Sequence, residues 1–230
     1  MKYIKDFSIF EAKREPSDAA IEIVDFLKKE YGVKVDDKFE INNLKLIKKA
    51  FLMFDKAYIK NKISKITCRD LSTVHGMWNP AQGAITLNPF IFKFKRKIKW
   101  DEGEISYPLF IIVHEIGHSI DSLERGSFSK EWKDISGWKK LDRRANVPEG
   151  YARFEEKRIG RAYQKTSGSR LSDWIYKEDA NFCRKYSSKD PREDFTDSLA
   201  FGVLGIWDKF KGDGGEKKME FIKKILKKID

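Results

Sequence analysis

The chain has 230 residues, a length that suits one domain, or one domain with a helical extension. Its residues are 40% hydrophobic and include six Trp and 17 Phe, so the composition excludes a disordered chain. Two widely spaced cysteines exclude a disulfide framework. The net charge of +11 predicts a basic surface that could attract nucleic acid, an anionic membrane or an acidic substrate, but no nucleic-acid-binding signature accompanies it.

The sequence contains no signal for export or membrane insertion. Residues 1–18 lack the apolar stretch of a signal peptide. No window approaches the roughly 18 apolar residues of a membrane helix. We therefore expect a soluble, cytoplasmic protein without a transmembrane segment, although a protein exported by a non-classical route, or associated with a virion, would have the same pattern.

Two amphipathic helices are predicted near the start of the chain. In the first, over 16–32, Ser17 can cap the helix and Gly32 can end it. The second covers 41–61, because apolar residues recur there at the spacing of one helix face. That face consists of Leu44, Ile47, Phe51, Phe54 and Tyr58.

Short strands are predicted in the next part of the chain. The segment 63–68 is a strand candidate, and residues 77–89 read as a turn followed by a strand over Ala84 to Leu87. Asn88 and Pro89 would stop this strand. The segment 95–108 is interpreted as a ribbon or a loop.

A histidine-bearing helix follows, in the sequence LFIIVHEIGHSID. Its positions 114 and 118 lie one turn apart on the same face, so the imidazoles of His114 and His118 can converge on one metal ion. Glu115 points to the side and is placed to accept a proton from water. His-Glu-x-x-His is half of a zinc hydrolase site. The alternative is a buried helix with hydrogen-bonded histidines, but two of only three histidines fall at ligand spacing.

Two imidazoles need a third protein ligand to hold zinc, with one position left open. No histidine follows His118, and His75 is interpreted as structural, so a carboxylate is expected. A helix over 190–205 offers Glu193 and Asp197 on one face, one to bind the metal and one to orient a ligand histidine. The alternative is that Glu193 completes a capping box with Asp190.

The stretches HEIGH and EDFTDSLA resemble the gluzincin metallopeptidases, and more closely the family of the anthrax lethal factor catalytic domain and the Pro-Pro endopeptidases. The resemblance implies Glu193 as the third zinc ligand and Asp197 as the acid that orients a histidine. The family has a catalytic tyrosine seven residues before the ligand glutamate, which here is Tyr186. It also implies that Ala84 to Leu87 is an edge strand that holds a peptide substrate. Thr196 and Asp197 replace the usual Ala-Glu.

The two motifs lie further apart than is usual for this family. The distance from His118 to Glu193 is 75 positions, which implies an insertion within 127–185. This region is predicted to form short helices and loops. It also contains four other acids that compete with Glu193 as third ligand: Glu149, Glu155, Glu156 and Asp173.

We therefore predict an α+β fold of the zincin type, with a small mixed sheet, an edge substrate strand packed on the histidine helix, and mostly helical structure elsewhere. The single domain 1–230 would comprise a helical part (about 1–60), a catalytic core (about 61–210) and a C-terminal amphipathic helix (about 215–230). The predicted function is a zinc-dependent endopeptidase, with Glu115 as general base and Tyr186 as oxyanion stabiliser. The alternative is a non-catalytic or nucleic-acid-associated protein with a metalloprotease-like fold.

Overall fold

The computed structural model describes residues 17–60, 62–72, 74–100, 103–156 and 170–229. These residues form a mixture of helices and small sheets, which agrees with the predicted α+β class. Two segments with predictions lie outside the described residues. One is 1–16, which includes the predicted start of the first helix, and the other is 157–169, a part of the predicted insertion. None of the helices in the described ranges is long and apolar enough to cross a membrane.

The N-terminal helices pack on the core through apolar faces, which in the second helix include the predicted Leu44, Ile47 and Phe51. The side chain of Tyr58, also predicted on this face, lies outside the described residues. The helices are α1 (Asp18–Tyr31), α2 (Ile41–Phe51) and α3 (Lys56–Ile59), with the short strand β1 (Lys34–Val35) after α1. Gly32 ends α1 in the left-handed conformation, as predicted. The prediction of one continuous helix over 41–61 is wrong. The chain turns after Phe51, which lets both Phe54 and Ile59 reach the core.

A mixed four-stranded sheet lies next in the chain. The sheet consists of β1 and three further strands: β2 (Lys65–Cys68), β3 (Gly76–Asn79) and β4 (Ala84–Leu87). Their order across the sheet is β1-β2-β4-β3. The strand β2 is parallel to both its neighbours, whereas β3 is antiparallel to β4. The antiparallel strand β3 therefore forms one edge of the sheet.

The prediction that Ala84–Leu87 is the edge strand is wrong. All four residues of β4 are buried, and the strand pairs with β2 on one side and β3 on the other. A short apolar strand without alternation is typical of such a central position. The edge strand is β3, which was predicted from the sequence as a turn. A four-residue strand that begins at Gly76 and ends just before Pro80 gives little periodic signal.

The described residues of the segment 95–108 include two antiparallel strands that lead into the histidine helix. These strands are β5 (Lys97–Trp100) and β6 (Gly103–Ser106), so the ribbon interpretation is confirmed. The histidine helix α4 (Tyr107–Glu124) follows directly, with Pro108 in its first turn. Ser106 stands at the cap position, but its side chain makes no capping hydrogen bond. Most of α4 is buried.

The region 127–185 differs from its prediction. It contains the short helix α5 (Lys130–Ser136) and a three-stranded antiparallel sheet of β7 (Lys139–Lys140), β8 (Tyr151–Glu156) and β9 (Arg170–Lys177), in the order β7-β9-β8. The predicted short helix is present as α5, but the sequence analysis missed this second sheet. Outside the sheets the described structure is mostly helical, as predicted. The rings of Trp174 and Tyr176, two positions apart on β9, both pack on Trp138, and this alternation is the signal of a strand.

Two further helices complete the described fold. They are α6 (Pro191–Val203) and α7 (Gly212–Ile229), and α6 packs against both α4 and α7. Asp190 caps α6, as predicted, by accepting hydrogen bonds from the backbone N–H groups of Arg192 and Glu193. Gly117 allows α4 and α6 to approach closely, because a Cβ atom there would lie only 3.0 Å from Thr196 Cγ2.

A buried ion pair joins α7 to α6. Lys218 Nζ lies 2.7 Å from Asp194 Oδ1, and both side chains are fully buried. Asp194 also accepts hydrogen bonds from Ser136 Oγ and Trp138 Nε1, and Lys218 Nζ lies 4.3 Å from the centroid of the Phe182 ring. Position 194 directly follows Glu193, so this pair fixes the helix that supplies the predicted third ligand.

We expect Lys218→Met to lower the free energy of unfolding by about 3–5 kcal/mol, because it leaves the Asp194 carboxylate buried without its cation. Denaturant unfolding monitored by circular dichroism measures the change. The double variant Lys218→Met, Asp194→Asn should recover most of the loss, since it removes both charges. Lys217→Met is the control, because Lys217 forms an exposed pair with Asp213. Equal stability of Lys218→Met and Lys217→Met would contradict the expectation.

Candidate metal centre

Three predicted ligands converge in the structure. His114 and His118 project from α4 and Glu193 projects from α6, and one donor atom from each lies within 4.8 Å of the others. Glu193 Oε2 is 3.3 Å from His114 Nε2 and 3.5 Å from His118 Nε2. The two imidazole rings are nearly perpendicular, with centroids 4.7 Å apart. Residues 75 positions apart in the sequence thus form one cluster.

The spacing of these donor atoms fits a tetrahedral zinc site. Ligand atoms about 2.0–2.2 Å from an ion at tetrahedral angles are about 3.3–3.6 Å from one another. The two distances from Glu193 Oε2 fall in that interval. Two imidazoles and one carboxylate also form the ligand set of a catalytic zinc site with one open position.

The state of Glu193 favours a cation at this point. Its Oε2 atom is buried and faces the Nε2 atoms of His114 and His118, and no other described residue donates a hydrogen bond to it. Such an atom is costly in a protein interior unless an ion or a water satisfies it. Burial by itself would raise the pKa of Glu193, but the two histidines hold it well below the usual value. The carboxylate is therefore ionised and directed at the two imidazoles.

The capping-box alternative for Glu193 is wrong in its side-chain part. Only the backbone N–H of Glu193 takes part in the cap, as a donor to Asp190 Oδ1 at 3.1 Å. Its side chain points instead to the histidines and to Tyr186. The cap and the candidate metal site therefore use different parts of the same residue.

Asp197 lies behind His114, where a histidine-orienting acid was predicted. Its Oδ1 is 2.8 Å from His114 Nδ1, and its side chain is fully buried. Burial opposes the charged form of His114, but Asp197, followed by Glu193, raises the pKa of the imidazole to about 10. With Nδ1 directed at Asp197, the Nε2 atom of His114 faces Glu193. The carboxylate thus fixes the ring in the orientation that a metal ligand requires.

Thr196 holds the second histidine and was not predicted to do so. Its Oγ1 lies 3.1 Å from His118 Nδ1, so His118 also presents Nε2 to the cluster. The spacing in the sequence could have indicated this contact. Thr196 is three positions after Glu193 and therefore lies near it on the same side of α6. Thr196 stands where the resembling family usually has alanine, whose methyl group cannot make this hydrogen bond.

Glu115 lies between α4 and the edge strand β3, and does not belong to the ligand cluster. A Cβ atom on Gly76 would come within 2.6 Å of Glu115 Oε1, so the strand approaches the carboxylate where it has no side chain. The backbone N–H of Trp78 donates a hydrogen bond to it. Its Oε2 is buried without a partner among the described residues, and burial raises its pKa. Such a group is suited to accept and return a proton.

Tyr186 lies at the edge of the cluster. It belongs to the 3₁₀ turn Lys185–Lys189, and its hydroxyl donates to Glu193 Oε1 at 3.4 Å. Lys189 Nζ in turn donates to the Tyr186 oxygen at 2.8 Å. Burial, followed by the charge of Glu193, raises the pKa of Tyr186 to about 12. The phenol is therefore protonated at neutral pH and can act as a donor. Lys189 was not predicted here.

The other candidate residues lie outside the cluster. His75 Nδ1 is 2.8 Å from the Tyr107 hydroxyl, in keeping with its structural interpretation. Among the competing acids, Glu149 and Glu155 are exposed and Asp173 pairs with Arg143 on the surface, so none of these three joins the cluster. The side chain of Glu156 lies outside the described residues.

Comparison of the chain with protein-family models, with curated proteins and with solved structures finds no match. The likeness to gluzincins therefore depends on the two motifs and on the tyrosine spacing.

Proposed function

We propose that the chain is a zinc-dependent endopeptidase with a zincin-like fold. The observation that carries the proposal is the convergence of His114, His118 and Glu193. Beside them lies the buried Glu115 Oε2 atom, which has no hydrogen-bond partner among the described residues. A zinc ion held by the three ligands would supply Lewis-acid chemistry, which acidifies water and polarises a carbonyl group. The residues around the ligands provide the remaining functions of a peptide hydrolase.

Glu115 and Tyr186 have different roles in the proposed reaction: Glu115 transfers a proton, and Tyr186 stabilises negative charge. Glu115 takes a proton from the attacking water, and then passes it to the nitrogen of the leaving amine. A carboxylate with a raised pKa is suited to both steps. The Tyr186 hydroxyl donates a hydrogen bond to the oxygen of the scissile carbonyl as negative charge develops on it. Its contact with Glu193 Oε1, at 3.4 Å, is long and can be exchanged for one to substrate.

The substrate peptide binds as an added strand on β3. This strand is at the edge of the mixed sheet, and among the described residues no strand pairs with its outer side. Backbone hydrogen bonds along such an edge hold an extended peptide with little dependence on its sequence. Because Gly76 and Trp78 contact Glu115, a peptide on this edge would lie beside the proposed base.

The proposal can be tested with metal-stripped protein and a peptide mixture of varied sequence. We expect no cleavage after treatment with a chelator and recovery of cleavage when about one equivalent of zinc is added. Mass spectrometry of the products identifies the bonds that are cut. Zinc binding without cleavage of any peptide or denatured protein would contradict the endopeptidase function.

We expect Tyr186→Phe to lower kcat by roughly 10²–10³, the usual effect of losing one oxyanion donor. Folding and zinc content should remain unchanged, because the ring stays and the phenol is not a ligand. KM should change little, since the lost contact strengthens only in the transition state. Steady-state rates on a cleaved peptide provide the measurement. Wild-type kcat in Tyr186→Phe would show that the tyrosine has no catalytic role.

A second candidate function, association with nucleic acid, is favoured by one cavity of about 540 Å³ away from the ligand residues. Lysines, aromatic rings and one acid line it: Phe128, Lys130, Lys133, Asp134, Trp138, Lys139, Lys140 and Trp174. Cationic and aromatic groups together suit single-stranded nucleic acid. Retention on single-stranded DNA that falls steeply with salt, without peptide cleavage, would favour this function.

A further inference from the structure

We propose that Arg184 is a positioning residue for both halves of the site: it fixes the Asp197 carboxylate that orients His114, and it supports the ring of Tyr186. The inference rests on the proposed metal site. Arg184 precedes the 3₁₀ turn Lys185–Lys189 and is not part of any motif used to predict the ligands.

The Arg184 guanidinium binds the Asp197 carboxylate through two parallel hydrogen bonds. Its Nε donates to Oδ2 and its Nη2 donates to Oδ1, each at 2.7 Å. Oδ1 is also the atom that lies 2.8 Å from His114 Nδ1. A carboxylate held by both oxygens cannot rotate, so the guanidinium determines where the acceptor for the imidazole lies.

A third donor completes this arrangement. Ser187 Oγ donates to Asp197 Oδ2 at 2.7 Å and accepts from the Arg184 backbone N–H at 3.2 Å. Both the side chain and the backbone of Arg184 thus act on the same carboxylate. Asp197 is fully buried, so it needs a cation to remain charged in the interior. Arg184 supplies a permanent positive charge next to it.

The same guanidinium contacts the tyrosine side of the site. Its central carbon lies 5.1 Å from the centroid of the Tyr186 ring and 4.8 Å from that of the Phe110 ring. These are distances of cation–π contacts, which are strong when water is excluded. Phe110 lies on α4, one turn before His114. Arg184 therefore links the histidine helix, the orienting acid and the proposed oxyanion donor.

The geometry requires arginine and not merely a positive charge. A lysine ammonium is a single point charge and cannot make two parallel bonds while stacking on an aromatic ring. We therefore expect Arg184→Lys to fold and to keep the Asp197 charge compensated, but to hold the carboxylate less firmly, because the two parallel hydrogen bonds are lost. Arg184→Met removes the charge as well. Comparison of the two variants therefore separates the effect of Asp197 orientation from the effect of the positive charge at position 184.

The first measurement is zinc affinity, determined by competition with a chelator. Arg184→Met and Asp197→Asn should each weaken it by about 10–100-fold, the usual effect of losing a group that orients a ligand. The double variant should be no weaker than either single variant, because both changes break one connection. Arg184→Lys should fall between wild type and Arg184→Met. The control is Arg192→Met, an exposed arginine on α6, which should bind zinc like wild type.

The second measurement needs neither zinc nor activity. The ¹⁵N chemical shifts of the His114 imidazole report its orientation and hydrogen bonding in metal-free protein. They should change in Arg184→Lys and stay unchanged in Arg192→Met. If wild-type protein binds no zinc, the proposed function fails, but these shifts still decide the role of Arg184. Unchanged His114 shifts in Arg184→Lys, or additive losses of affinity in the double variant, would overturn the inference. If Arg184→Met does not fold, the Arg184→Lys shifts and affinity remain decisive.

Discussion

Glu193→Ala should leave the protein without zinc after dialysis, whereas the wild type should retain about one ion per chain. The variant removes the only carboxylate among the three convergent ligands of the described chain. The two imidazoles that remain make a weak zinc site, because a stable site needs three protein ligands. Elemental analysis of dialysed protein measures the zinc content. His118→Ala should give the same result, since it also removes one donor of three.

The matched controls are two acids that the sequence left as competitors for this role. Glu149→Ala and Glu155→Ala each remove an exposed carboxylate outside the cluster, so both variants should keep their zinc. Loss of zinc from either of them, with retention by Glu193→Ala, would show that the third ligand has been assigned to the wrong residue.

Glu115→Gln should retain its zinc and lose peptide hydrolysis by roughly 10²–10⁴-fold, the usual contribution of a positioned general base. Glutamine has the same shape and can still accept the hydrogen bond from the Trp78 backbone N–H. Its amide cannot take up a proton from water. Zinc content and initial cleavage rates must be measured on the same preparation.

Comparison with Glu193→Ala distinguishes the loss of a general base in Glu115→Gln from the loss of the metal. The two variants should both be inactive, but only Glu193→Ala should lack the metal. If Glu115→Gln loses its zinc while its unfolding transition matches the wild type, Glu115 is a ligand and not a base. Wild-type rates in Glu115→Gln would mean that the proton is accepted elsewhere.

The parts of the site that follow from local geometry were predictable from the sequence. His114 and His118 share a helix face because the helix repeat brings positions four apart together, whatever surrounds the helix. The same repeat, with the cap at Asp190, places Glu193 and Asp197 on one side of α6. Such relations need only the pattern within one segment.

Contacts between distant segments that no motif relates were not predictable. Arg184 meets Asp197, and Lys218 meets Asp194, only because a turn and α7 pack against α6. Nothing near either cation in the sequence marks its partner. The edge position of β3 was missed for the same reason. Which strand lies outermost depends on pairing between segments, and β4 carried the stronger apolar signal.

The length of β3 bounds the substrate footprint under the proposed function. Its four residues, Gly76–Asn79, span about 13 Å at the usual rise of a strand, and Pro80 follows them without a backbone N–H. Backbone hydrogen bonds to β3 can therefore hold only about four extended residues of a bound peptide. A folded protein would have to offer such a stretch in an exposed loop or a terminus, and helices and paired strands would be excluded. Selection among proteins would then depend on local accessibility as much as on side chains.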